Sequence, residues 1–204
     1  MTANTPAPTV VVGITGASGA PYAVRLVELL ARAGWAVHLI VTPAGRLVLA
    51  DEAGLRPSPD APDLASLWPE DVLARVHYTP AERLDAPPAT GSFRADAAVV
   101  CPCSMNSLAA LAHGLSANLL QRAANVALKE GRPLIVVPRE MPVTPIDLDN
   151  MARLARAGAV VMPAMPAFYH HPASAGDLVD FVVAKVLDRL GVEHALDVRW
   201  PRCQ

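Results

Sequence analysis

Short unbroken apolar runs alternate along this chain with longer stretches in which apolar positions recur every three or four residues. Such runs predict strands buried on both faces, and the longer stretches predict amphipathic helices between them. Thr9 to Ile14 reads as a strand, Pro21 to Ala33 as a helix with Tyr22, Leu26, Leu29, Leu30 and Ala33 on its apolar face, and Ala36 to Val41 as a second strand. This βαβ unit implies a right-handed crossover and a parallel sheet. A helix over Ala44–Ala53 follows; residues 55–69, with four prolines, and 79–92, with three, read as a connector around a short helix, Pro69 to Arg75, that adds little to the core. Beyond it the pattern predicts a strand at Ala95–Cys101, a helix capped by Ser104 and running to about His113, and a helix over Asn118–Glu130. A strand at Leu134–Val137, a helix at Ile146–Ala157, a strand at Ala159–Met162 and a long helix at Ala175–Leu190 complete the alternation. The 204 residues read as one α/β domain.

Composition narrows the functional classes. Hydrophobic residues make up 52% of the chain and charged ones 18%, with a formal net charge of -2, so no extended nucleic-acid or anionic-membrane footprint is expected. Gly, Pro or charge interrupts every apolar run before the length of a membrane span, and residues 1–8 do not resemble a signal peptide. The three cysteines, Cys101, Cys103 and Cys203, lack zinc-knuckle or redox-pair spacing, which fits a reduced, cytoplasmic setting. Aromatic residues are 4% of the chain, so its core is Ala, Val and Leu, and the surplus apolar surface suggests burial between subunits.

Three motifs fall at the carboxyl ends of expected strands, where open parallel sheets bind ligands. They are Thr15-Gly16-Ala17-Ser18-Gly19-Ala20, Cys101-Pro102-Cys103-Ser104-Met105-Asn106 and Pro138-Arg139-Glu140. Small residues and hydroxyls there let backbone N–H groups approach an anion, so the crevice is expected to hold a phosphate-bearing ligand. The glycine spacing is not G-x-G-x-x-G, and the second strand ends Val41-Thr42-Pro43 without the acid that an NAD ribose requires; a mononucleotide suits it better. Cys101 and Cys103 read as small buried residues, and adjacent His170 and His171 lack a third ligand at suitable spacing, so no metal is expected. Arg122 and Lys129 share one face of their helix, as a polar stripe or as a wall for a second phosphate.

With these residues assembled, the chain resembles the UbiX-type flavin prenyltransferase family. The markers are Gly13-Ile14-Thr15-Gly16-Ala17-Ser18-Gly19-Ala20, Cys101-Pro102-Cys103-Ser104, Asn118-Leu119-Leu120-Gln121-Arg122-Ala123-Ala124 and Leu128-Lys129-Glu130, followed by Val137-Pro138-Arg139-Glu140, Asp149-Asn150-Met151 and Pro166-Ala167-Phe168-Tyr169-His170. The resemblance implies a Rossmann-like, three-layer α/β/α fold with a mostly parallel sheet, a single FMN-binding domain over residues 1–204, and a homododecamer with active sites at subunit junctions. It implies metal-independent transfer of a dimethylallyl group from dimethylallyl phosphate to N5 and C6 of reduced FMN. The product, prenylated FMN, serves a UbiD-type decarboxylase.

Carried over residue by residue, the resemblance implies FMN contacts from Gly16, Ala17, Ser18, Thr42, Ser104, Met105, Asn106, Ser107 and Arg139. Tyr169 and Lys185 would hold the donor phosphate with Lys129, Arg139, Thr90 and Gly91 close by, Arg122 in support and the aromatic Trp200 beside the site. Glu52 and Glu140 match acids associated with proton handling and, with Lys129, form the expected catalytic set. Three places depart from the pattern: Lys185 stands for a common Arg, the pair Thr42-Pro43 for a frequent Ser-Lys, and Leu84 for an aromatic found in some members. Lysine keeps the charge at 185 and loses the guanidinium fork. Two alternatives remain. A flavin-dependent cysteine decarboxylase needs a catalytic His after the first βαβ unit, where His77 is poorly placed, and an Asn-rich signature that Ser104-Met105-Asn106 matches only in part. A non-catalytic FMN carrier would not need Glu140, Lys129 and Tyr169.

Overall fold

Among the described residues six parallel strands form one sheet, with helices on both faces; from one edge to the other the strands begin at Val76, Ala36, Thr9, Ala97, Leu134 and Val160. The computed structural model describes residues 7–56 and 61–196. The first half runs β1 (Thr9–Ile14), α1 (Ala20–Arg32), β2 (Ala36–Val41), α2 (Pro43–Ala53), α3 (Glu70–Leu73) and β3 (Val76–Pro80). The second runs β4 (Ala97–Cys103), α4 (Met105–Ala112), α5 (Leu119–Lys129), β5 (Leu134–Pro138), α6 (Pro145–Arg156), β6 (Val160–Val161) and α7 (Ala175–Leu190).

Successive strand residues serve opposite layers, as the two-residue period of a strand demands. Val10, Val12 and Ile14 of β1 pack with Leu26, Leu30 and Val183 of α1 and α7, whereas Val11 packs with Leu111, Leu119 and Ala123 of α4 and α5. At Gly13 an added Cβ would lie 2.7 Å from Leu120, so α5 crosses β1 where the strand has no side chain. Caps set the helix starts. The side chains of Thr42, Ser104, Asn118, Thr144 and Ser174 each accept a first-turn N–H, a contact worth about 1 kcal/mol per cap. Among ion pairs, Arg25 grips Asp180 at 2.7 and 3.2 Å and joins α1 to α7.

Two expectations about the connector fail. Val76–Pro80 is a strand, paired in register with β2 from Val37↔Val76 to Val41↔Pro80. Pro80 closes an edge strand, where the missing N–H is tolerated, so the local proline density masked it. The connector also reaches the core: Trp68 and Val72 are buried, and the Trp68 indole N–H donates to Val24 O at 3.0 Å. β4 continues through Cys103, so Cys-Pro-Cys is the end of a strand rather than the turn after it.

Candidate active site

The crevice at the carboxyl ends of the strands is built around Thr15. Its side chain is 1% exposed; Oγ1 donates to Pro102 O at 2.8 Å and accepts the Ser104 N–H at 2.7 Å. One hydroxyl thereby joins the chain leaving β1 to the chain leaving β4, just beyond the sheet ladder. Sequence reasoning placed Thr15 inside a motif and gave it no role, although a hydroxyl at the end of an apolar run is the signal. Ser104 accepts the Ser107 N–H at 3.3 Å and bonds the Ser107 hydroxyl at 3.1 Å. The N–H groups of Met105 and Asn106, in the first turn of α4, have no intrahelical acceptor by position, so this end carries the partial positive charge that attracts phosphate.

Gly16 lies against α2, where an added Cβ would sit 2.6 Å from the Ala44 Cβ. The loop can follow this path only without a side chain there. Thr42 is nearly buried, and its hydroxyl is already engaged with Ile14 O at 3.3 Å and the Gly45 N–H at 3.1 Å. It shapes the turn into α2.

At α1 the expectation of an anion on free backbone N–H groups is corrected. The Glu52 carboxylate itself accepts the Gly19 and Ala20 N–H groups at 2.7 and 2.9 Å, so this helix end already has its anion. Burial pushes the Glu52 carboxyl up, but hydrogen bonds from Ser18, Gly19 and Ala20 and the nearby Arg139 charge outweigh it and hold the group below its ordinary value. Glu52 is therefore an ionised, fixed charge at neutral pH. Arg139, from the end of β5, donates Nε–H to Ser18 O at 3.1 Å, which links the third motif to the first. Burial, and to a smaller degree Cys101, raise the Tyr22 phenol beside this contact, with Arg139 opposing them. Glu140 follows on the exposed surface, where its Oε1 accepts the Met141 N–H at 3.1 Å.

Tyr169 and Lys185 meet around Phe181. The Tyr169 ring stands edge-on to Phe181 at 5.7 Å, and Lys185 Nζ lies 5.8 Å from the Phe181 centroid. His170 stacks on the same ring at 5.3 Å. The segment bearing Tyr169 leaves the sheet at Ala164, whose N–H donates to Pro138 O at 3.0 Å, at the same edge as Arg139.

Lys129, Thr90 and Gly91 do not join this group within one chain. The α5 helix starts at the crevice edge, where Leu119 N–H donates to Ala81 O at 2.7 Å, and ends at the opposite edge, where Arg132 donates to Phe93 O and Gly91 O at 2.6 and 3.0 Å just before β5 begins. Lys129 therefore lies roughly 20 Å of strand length from Arg139. Arg122, one helix face with it, spends its Nε–H on Ala89 O at 2.8 Å.

Among the described residues no group of three or more His, Cys, Asp and Glu side chains could hold a metal ion. Cys101 and Cys103 are buried; burial pushes the Cys101 thiol up to about 12 and Cys103 higher still, so neither serves as a thiolate. Trp200 and Cys203 lie outside the described residues. No described helix is long and apolar enough to cross a membrane.

A parallel sheet with a phosphate-seeking crevice at its carboxyl edge defines a mononucleotide-binding α/β protein. Residues 2–187 match the Flavoprotein family. The chain is 46% identical over 192 residues to the flavin prenyltransferase UbiX of Alkalihalophilus pseudofirmus, covering 93% of this chain and 94% of the relative. It superposes on AnUbiX (PadA1), solved with FMN and dimethylallyl pyrophosphate, with a TM-score of 0.85 and 35% identity over 97% of this chain and all of that one. A dodecameric FMN-dependent UbiX-like decarboxylase from Escherichia coli O157:H7 gives a TM-score of 0.83 and 39% identity, covering 95% and 99% of the two chains. The chain belongs to the UbiX flavin prenyltransferase branch of the Flavoprotein family.

Proposed function

We propose that this protein transfers a dimethylallyl group from dimethylallyl phosphate to reduced FMN, giving prenylated FMN for a UbiD-type decarboxylase. The observation that carries the reading is the convergence of Glu52, Ser104 and Arg139 on the Thr15–Gly19 loop. The residues fit FMN: the α4 N-terminus and the Ser104 and Ser107 hydroxyls suit its phosphate, the crowded Gly16 turn admits a close backbone approach, and Ala17, Ser18, Met105, Asn106 and Arg139 border the same crevice. Bound and reduced, FMN supplies the nucleophilic N5 and C6 positions.

The chain's own residues answer the other demands of the reaction. Breaking the allylic C–O bond releases phosphate and develops a carbocation, so fixed cations must meet the leaving group without reorganising. Lys129, Lys185 and Arg139, with Tyr169, Thr90 and the Gly91 backbone, supply them, and Arg122 braces the Ala89–Gly91 turn. Because Lys129, Thr90 and Gly91 sit at the far edge of their own sheet, a neighbouring copy brings them to the crevice. Apolar side chains around it favour such burial: Met141 is 85% exposed, Ile146 72% and Phe168 70%. A dodecamer, the state named for the E. coli neighbour, supplies such junctions when built from copies of this chain.

Glu140 is the proposed acceptor of the proton lost as the new ring closes, with Glu52 setting the charge of the crevice. We take the chain as a single FMN-binding domain acting in a cytoplasmic setting. Glu140→Gln is expected to retain FMN affinity while product formation falls by about 10²–10⁴, the usual contribution of a general base. Turnover equal to that of the parent would remove Glu140 from the mechanism.

A further inference from the structure

Adjacent residues on a helix do not face each other, yet Lys129 Nζ and Glu130 Oε1 pair at 2.9 Å. They meet because Glu130 is the residue that ends α5 and its side chain folds over the Thr90–Ser92 turn. A Cβ added to Gly91 would collide with Glu130 Oε1 and lie 3.2 Å from Lys129 Nζ, so the carboxylate fills the space that glycine leaves open. The surroundings are those of an anion site. The Lys129 ammonium stands on one side; Arg132, bonded to Gly91 O and Phe93 O, fixes the turn from behind. The Thr90 and Ser92 hydroxyls lie 3.1 Å apart on the same turn. The Lys129 hydrogen bond and charge, with a smaller effect of Arg132, hold the Glu130 carboxyl below its ordinary value.

We infer that Glu130 is a resident counter-anion, occupying the place beside Lys129 and Gly91 that the donor phosphate takes, and that it thereby sets affinity for the donor. This rests on the reading that Lys129 and Gly91 bind that phosphate. In the absence of donor, Glu130 keeps Lys129 folded over the turn. A phosphate dianion, with twice the charge and three oxygens, displaces the carboxylate, whereas a monoanion of similar size has no such advantage. The displacement costs the ion pair and lowers apparent affinity for every anion at this place.

The test is isothermal titration of FMN-loaded protein with inorganic phosphate and with dimethylallyl phosphate, beside steady-state prenylation, for Glu130→Gln and for Glu70→Gln. The second removes the same charge from the exposed start of α3. For Glu130→Gln both anions are expected to bind about two- to fivefold tighter, the worth of an exposed ion pair, with donor KM lower by the same factor, kcat little changed and FMN affinity unaltered. Glu70→Gln is expected to change nothing. Unchanged or weaker phosphate binding in Glu130→Gln would overturn the assignment, as would equal tightening in both variants, which would mark a general charge effect. If the parent binds phosphate but never prenylates FMN, the functional reading fails while the phosphate titration still decides the role of Glu130.

Discussion

Thr15→Val is expected to lower stability by about 2–3 kcal/mol and the apparent Tm by about 5–10 °C, with a parallel loss of FMN affinity. Valine matches threonine in shape, so the cost is that of the hydroxyl alone. Its removal leaves the part-buried Ser104 N–H without the acceptor at 2.7 Å and deletes the buried bond to Pro102 O. The ends of β1 and β4 are then free to separate, which misplaces the glycine loop relative to the α4 N-terminus. Thermal melting and flavin-fluorescence titration check both effects, and Thr15→Ser, which keeps the hydroxyl, is expected to restore most of each. A valine variant with parental melting and FMN affinity would show that Thr15 does not organise the crevice.

Lys129→Ala is expected to reduce kcat/KM by about 10²–10³, the usual effect of losing one preorganised partner of developing charge, and to leave FMN binding intact. Arg139→Ala is expected to be comparably impaired. Since Lys129 and Arg139 occupy opposite edges of one sheet, the two variants carry complementary defects. Oligomers dissociated and reassembled from an equal mixture are expected to regain activity in about a quarter of their sites, those that combine the crevice of a Lys129→Ala chain with the far edge of an Arg139→Ala chain. Activity no higher than the mean of the separate variants would show that each site is built from a single chain.

Strong periodicity made most of the fold legible. The helix read as Ala175–Leu190 has those same bounds, and β1, β2 and the Ser104 cap lie where the pattern puts them. β3 was hidden because His77, Thr79 and Pro80 lack the apolar run of a central strand, and only pairing with β2 makes them one. The three motifs were legible because strand ends converge in any parallel sheet. What sequence could not reveal was partnership across distance. Glu52 is 33 residues from the N–H of Gly19 that it accepts, and Thr15 is 87 from Pro102. The separation of Lys129 from Arg139 likewise follows from α5 running the length of the sheet, which no local pattern announces.

Anaerobic incubation of the purified protein with reduced FMN and dimethylallyl phosphate, followed by measurement of the mass of the released flavin, decides whether this protein is a flavin prenyltransferase. A flavin heavier by one isoprene unit, formed without added metal, is the predicted result. FMN released unchanged, with the diphosphate donor equally inert, would contradict the assignment and leave a flavin-binding protein without transferase activity.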